Sequence, residues 1–224
     1  MTTFGERLVA VRARIAAAAQ RAGRDPGSVE LLAVTKGHST AVVEAALAAG
    51  VRAVGESRAQ ELLAKDAALR EAGVASPEWE FVGRIQRNKV KALAPVVRRW
   101  HSVDRPEVGD AIAAHAPGAR VFAQVNVAGE EQKGGCLVAG TATLVEHLRS
   151  AGLAVEGLMT VPPLGDDPRP WFRVLAALAA DVGVDGLSMG MSGDFEVAVE
   201  EGATVVRVGE VLTGPRSQEP NLRR

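Results

Sequence analysis

Eight short runs of β-branched or apolar residues recur along the chain, and segments with helical spacing separate them. The runs are VELLAVTK (29–36), VRAVGE (51–56), WEFVGR (79–84), RWHSVD (99–104), RVFAQVNV (120–127), AVEGLMTV (154–161), DGLSMGM (185–191) and TVVRVGE (204–210). Several are apolar for most of their length, as strands covered on both faces should be. The segments between them carry helix punctuation. Thr40 is placed to cap a helix with Val43, Ala46 and Leu47 on its apolar face and Gly50 just past its end. Ser57 and Gln60 have capping-box spacing ahead of ELLAKDAALREAG, which stops at Gly73. Pro168 and Pro170 stand where a first helical turn tolerates proline, and Gly183 follows that helix. An amphipathic helix over about 3–22 precedes the first run.

Strands alternating with crossover helices close into a barrel or open into a doubly wound sheet. An open dinucleotide-binding sheet carries Gly-x-Gly-x-x-Gly after its first strand. Here the first run ends in Thr35-Lys36-Gly37-His38, so the pattern predicts closure: an α/β fold, a single (β/α)8 TIM barrel over residues 1–224. No Pro/Gly/Ser linker long enough to divide the chain is present, and the loop PPLGDDPRP (162–170) is short.

Composition narrows the partners. A 47% apolar and 24% charged chain of 224 residues has a sizeable core to build. With a net charge of −1, bulk electrostatics points to neither nucleic acid nor an anionic membrane. The lone Cys136 excludes an intrachain disulfide framework and a thiolate zinc cluster, and it fits a reducing compartment, so the cytoplasm is the expected location. Glu6 and the arginines at 7, 12, 14 and 21 interrupt the N-terminus too often for a secretory signal. No run approaches the roughly 18 apolar residues of a membrane span. A monomer is expected, because a barrel of this size buries its core without a partner.

Working residues of such barrels project from the C-terminal strand ends. These are Lys36, Glu56, Arg84, Asp104, Asn126, Thr160, 188–192 and 207–210. A lysine directly after Leu-Leu-Ala-Val-Thr reads in two ways. Burial would lower its pKa and leave a nucleophilic amine suited to a Schiff base; alternatively, its head lies in water just beyond the strand. Ser188, Gly190, Ser192, Gly193 and Gly209 let backbone N–H groups approach a phosphate, although such residues also simply make turns. Arg207, embedded in VVRVG, is either paired with a neighbouring barrel carboxylate or is a fixed donor to an unprotonated ligand atom. His38, His101, His115 and His147 show no metal-ligand spacing and read as surface or capping histidines. The basic cluster Arg84, Arg87, Lys89 and Lys91 meets a phosphate or nucleic acid, or is a solvated helix face. With no Tyr, five Phe and three Trp, stacking aromatics are scarce and the solvated face is favoured.

Separated motifs, in order, carry a resemblance: LLAVTK with Lys36; VGE (54–56) then QE (60–61); WEFVGRIQRNK (79–89); HSVDR (101–105); QVNVAGEEQKGG (124–135); GLMTVPP (157–163); LSMGMSGDFE (187–196); and VRVGEVLTGPR (206–216). On these the chain resembles the YggS/PROSC family, the pyridoxal phosphate homeostasis proteins, whose barrel is like the N-terminal domain of alanine racemase (fold type III). The resemblance implies that Lys36 is the Schiff-base lysine and that Ser188 with the backbone of Gly209 and Glu210 holds the cofactor phosphate. It further implies that Arg207 faces the pyridine nitrogen and that Asn126 and Met189 line the pocket. The chain departs from the family pattern at Gly37-His38-Ser39, at Ser57-Arg58 and at Glu80, where histidine is frequent.

The implied function is a cofactor carrier in vitamin B6 homeostasis, with apo-enzymes that need pyridoxal 5′-phosphate as implied recipients. A racemase of this fold uses a second base, a tyrosine from another domain, and this chain has no tyrosine. An arginine donating to the ring nitrogen would also keep it unprotonated and a poorer electron sink. Two rivals remain: a pyridoxal phosphate enzyme such as a weak amino-acid racemase, and a barrel enzyme forming a substrate Schiff base at Lys36.

Overall fold

Each of the eight runs yields one strand of a closed parallel barrel in the computed structural model, which describes residues 2–214. The end of the last motif, Pro215-Arg216, lies outside the described residues. The strands are β1 (Glu30–Val34), β2 (Ala53–Glu56), β3 (Glu78–Phe81), β4 (Val97–Val103), β5 (Arg120–Asn126), a two-residue β6 (Cys136–Leu137), β7 (Ala154–Met159), β8 (Gly186–Ser188) and β9 (Val205–Val208). The short β6 pairs only with the end of β5. The other eight pair in sequence order, and β9 returns to β1 with Leu32 opposite Arg207 and Ala33 opposite Val208. This is a (β/α)8 barrel.

The helices are α1 (Phe4–Arg21), α2 (Thr40–Ala48), α3 (Ala59–Glu71), α4 (Arg87–Leu93), α5 (Pro106–His115), α6 (Thr141–Ser150), α7 (Arg169–Asp181), α8 (Phe195–Glu200) and α9 (Glu210–Thr213). Helix α1 starts in a capping box: the Thr3 hydroxyl accepts from the Glu6 N–H, and the Glu6 carboxylate accepts from the Thr3 N–H. Its buried stripe of Phe4, Leu8, Val11, Ile15, Ala18 and Ala19 packs it onto the barrel flank. Arg14 stacks over Phe195 of α8 at 4.5 Å and pairs with Glu196 at 2.7 Å.

Two expected caps do not form. Ser39, not Thr40, is the N-cap of α2, and it makes no side-chain cap bond. Helix α3 starts at Ala59 behind Arg58, so Ser57 and Gln60 make no capping box. Packing explains the second case. The Ser57 carbonyl lies against Gly83, where a Cβ would come within 2.0 Å of it, and this contact holds the chain after β2 against the β3 end.

Strand alternation sorts the interior. Outward residues such as Trp79, Phe81 and Trp100 join the large apolar layer under the helices. Inside the barrel the apolar cluster is small: Leu32, Phe122, Met159 and Val205. The rest of the bore is polar. His101 is stacked on Phe122 at 4.8 Å and Arg99 lies over the same ring at 5.7 Å.

Candidate functional site at the barrel mouth

Because β1 and β9 are neighbours, their C-terminal ends bring Thr35-Lys36 beside Gly209-Glu210 at one rim. A cavity of about 390 Å³ opens there, lined by Lys36, Met159, Met191, Ser192, Arg207 and Gly209, with Glu210 at its edge. A second hollow of about 370 Å³, on the side of His38 and Thr213, shares Lys36, Gly209 and Glu210 with it. The volume suits a small organic ligand. A larger groove of about 700 Å³ lies at the other end of the barrel, between α1 and the starts of β1 and β2. It lies away from the strand ends that carry the chemistry, and Glu30, one of its acids, is already paired with Arg99.

Lys36 lies two residues past the end of β1 and is exposed, so of its two readings the one with the head in water just beyond the strand holds, and the buried amine does not. Its backbone is nonetheless held firmly. The Thr35 hydroxyl donates to Glu56 Oε1 at 2.6 Å, and Lys65 Nζ donates to the Thr35 carbonyl at 2.9 Å. Lys65 also pairs with Glu56 at 2.6 Å and Glu61 at 2.9 Å, and Glu61 accepts the Gly37 N–H. Burial pushes the Glu56 carboxyl up from its ordinary value, and the Lys65 charge opposes that shift.

Arg207 is buried, yet it has no carboxylate partner among the described residues. Its guanidinium donates to Ser188 Oγ at 2.9 Å and to the Thr160 carbonyl at 2.8 Å while also lining the cavity. Burial pushes it down to about 10, which leaves it a cation at neutral pH. Of the two readings of Arg207, the salt bridge with a barrel carboxylate does not form among the described residues.

Across from it, the 190–194 loop folds tightly onto α8. Gly190 has φ +92° and a Cβ there would lie 2.5 Å from Ala198 Cβ, so only glycine fits. This turn presents Ser192 and Gly193 to the cavity. Gly209 N–H lies 3.3 Å from Ser192 Oγ, and the N–H groups of Ser192, Gly193 and Glu210 make no backbone hydrogen bond among the described residues. An amine, a guanidinium and a set of free N–H groups thus share one cavity.

A family model described as the alanine racemase N-terminal domain matches residues 7–217. The pyridoxal phosphate homeostasis protein of Aquifex aeolicus is 42% identical, over 94% of this chain and 97% of that protein. The Pseudomonas aeruginosa protein of the same name is 40% identical, over 96% and 97%. The chain belongs to the pyridoxal phosphate homeostasis protein family. Among solved structures, PipY of Synechococcus elongatus with pyridoxal phosphate bound is 30% identical, with a TM-score of 0.82 over 95% of this chain and all of that one.

Three positions singled out from the family pattern do not line the cavity. Ser188 is fully buried in the bore, where its Oγ is held by Arg207 and by His101 Nδ1 at 2.8 Å; the serine at the cavity is Ser192. Met189 belongs to the outer apolar layer, with its N–H on the Val205 carbonyl, because strand alternation turns it away from Ser188; Met159 and Met191 face the ligand space instead. Asn126 ties its own loop, donating to the Glu130 carbonyl at 2.8 Å and accepting the Glu130 N–H at 3.2 Å.

His101, read from sequence as a surface or capping histidine, is the centre of the bore and has no exposed surface. With Glu80 ionised, the surrounding hydrogen bonds assign its tautomer. Arg207 donates to Ser188, so the Ser188 hydroxyl proton goes to His101 Nδ1, and Nε2–H donates to Glu80 Oε2 at 2.6 Å. Glu80 Oε1 accepts from Arg99 at 2.7 Å. Burial, then the charges of Arg99 and Arg207, holds His101 well below its ordinary value and so neutral. Burial raises Glu80 to about 7 against the pull of Arg99. The signal for His101 was its position in phase with inward Arg99 on β4. For Lys65, only its i,i+4 spacing from Glu61 was visible.

Proposed function

We propose that this chain binds pyridoxal 5′-phosphate at the barrel mouth and carries it as a Schiff base on Lys36, as part of vitamin B6 homeostasis. The observation that carries the reading is the shared cavity of Lys36, Arg207, Ser192 and the Gly209-Glu210 backbone. In this reading the bound cofactor supplies an electrophilic aldehyde. Lys36 supplies the amine, Ser192 with the N–H groups of Gly193, Gly209 and Glu210 takes the phosphate, and Arg207 donates to the ring nitrogen. A guanidinium keeps its proton, so that nitrogen stays unprotonated and the ring is a poor electron sink.

The exposure of Lys36 favours a carrier. A Schiff base at an exposed amine is open to water and to incoming amines, which permits release by exchange. Apo-enzymes that need the cofactor are the recipients in this reading, and one copy of the barrel suffices for the site. Among the described residues no helix is long and apolar enough to cross a membrane.

The test is an absorbance spectrum of the protein before and after adding pyridoxal phosphate, followed by borohydride reduction. A Schiff-base band should appear and become a stable adduct that peptide mapping places on Lys36. Retention of band and adduct in Lys36→Ala would overturn the assignment.

A further inference from the structure

Two of the four basic residues singled out in the sequence, Arg84 and Lys89, meet Arg58 at a place in the fold that the cavity does not use, while Arg87 and Lys91 are exposed outside it. Beside the barrel mouth a pocket of about 270 Å³ lies between the β2–α3 and β3–α4 connections. Arg58, Arg84 and Lys89 line it, and the buried side chains of Phe81 and Leu93 form apolar parts of its wall. None of the three cations has a side-chain hydrogen bond or ion pair among the described residues. Elsewhere the chain pairs its cations readily: Arg169 takes Glu200 and Glu201, and Arg173 also takes Glu201. No carboxylate among the described residues lines this pocket.

Three unpaired like charges around one concavity repel each other, and a multiply charged anion between them relieves that repulsion. The first turn of the 13-residue α3, which opens behind Arg58 without a side-chain cap, adds uncapped N–H groups at the same wall. Ser57 lines both this pocket and the main cavity, so the two share a wall.

We propose that the Arg58–Arg84–Lys89 pocket is a second anion site, which holds the phosphate of a small phosphorylated molecule next to the main cavity. A phosphate monoester carries close to two negative charges, which matches three cations better than a single carboxylate does. The apolar wall accommodates a ring or carbon skeleton. Its identification with cofactor on its way in or out rests on the carrier reading; the anion site itself does not.

The test is a titration of the isotopically labelled full chain with inorganic phosphate, followed by NMR of backbone amides. The amides of Ala59, Gln60 and Lys89 should shift together and saturate, with a constant distinct from that of Gly209 and Glu210. Arg84→Gln with Lys89→Gln should weaken the first set by about tenfold while leaving the second in place. Pyridoxamine phosphate should move the first set and unphosphorylated pyridoxamine should not. Unmoved Ala59, Gln60 and Lys89 amides, or an unchanged constant in the double variant, would overturn the proposal. So would a response to a poly-glutamate peptide alone, which would mark a face for acidic proteins. If the first set responds and Gly209 and Glu210 stay silent, the second site stands and the carrier reading loses its phosphate cup.

Discussion

Lys36 follows Thr35 in the chain and Lys65 bonds to Thr35 and to its partner Glu56, yet the chain treats the two lysines in opposite ways. Lys65 is 6% exposed and its ammonium is spent on Thr35, Glu56 and Glu61. Lys36 is exposed and makes no side-chain hydrogen bond or ion pair among the described residues, while the Gly37 N–H anchors its turn to Glu61. The contrast separates a charge spent inside the fold from one left unpaired at the rim, where the proposed carrier role needs an amine. The bore and the rim repeat it on a larger scale. Arg99 in the bore meets Glu30, Glu80 and Glu156, whereas Arg58, Arg84 and Lys89 at the rim meet no acid among the described residues.

The comparison breaks most sharply at the two lysines. Removing Lys65 leaves Glu56, fully buried and already with an unpartnered Oε2, without its cation. Lys65→Met should therefore cost about 3–5 kcal/mol in urea denaturation. Lys36→Met should change stability by no more than about 0.5 kcal/mol, because an exposed side chain without partners is lost. Equal losses would erase the distinction between clamp and ligand group.

The bore offers a second contrast, in pH dependence. Glu80, raised by burial to about 7 from 4.5, holds a proton in the folded chain that the unfolded chain has lost. Its contribution to stability is present below about pH 4.5 and is lost as pH rises through about 7. His101 is held well below 6.5, so its contribution is present above 6.5 and is lost as pH falls. The two slopes oppose each other over the same range. Glu80→Gln should expose the His101 slope, with stability falling on acidification below 6.5. His101→Gln should expose the reverse, stability falling between about 4.5 and 7 as pH rises. Each slope is bounded at about 1.4 kcal/mol per pH unit. Parallel slopes in the two variants would show that these groups do not titrate as placed.

These contrasts also mark what the sequence could show. The eight strands were legible because each is a short apolar run and several are followed by a helix with a glycine stop, such as Gly50, Gly73 and Gly183, and the missing glycine fingerprint after Thr35 pointed to closure. The rim was legible at Lys36, Arg207, Gly209 and Glu210, since a barrel's strand ends can be counted off. The bore was not. Whether His101 faces inward depends on strand register, and a shift of one residue would send it under the helices. The choice between the two readings of Lys36 was not legible for a related reason: it turns on where β1 stops, and β1 stops at Val34 rather than at the end of the run. The α3 cap failed because Ser57 is held against Gly83, a contact between segments 26 residues apart that no local pattern encodes.

The smallest effect separates the two serines of LSMGMS, four residues apart. Ser188 lies in the bore between Arg207 and His101; Ser192 lines the cavity beside the Gly209 N–H. Ser188→Ala removes the acceptor of Arg207 and the donor to His101 Nδ1, leaving buried polar atoms unsatisfied at a cost of about 1–3 kcal/mol of stability. Ser192→Ala removes one hydroxyl from a partly exposed loop, so stability should barely change. It should instead weaken pyridoxal phosphate binding by roughly fivefold, the worth of about one hydrogen bond of 1 kcal/mol. Denaturation and binding, measured on both variants, should therefore give opposite rankings. Tight-binding loss in Ser188→Ala with no change in Ser192→Ala would return the phosphate to the bore, and would require the Arg207–Ser188–His101 chain to open when ligand enters.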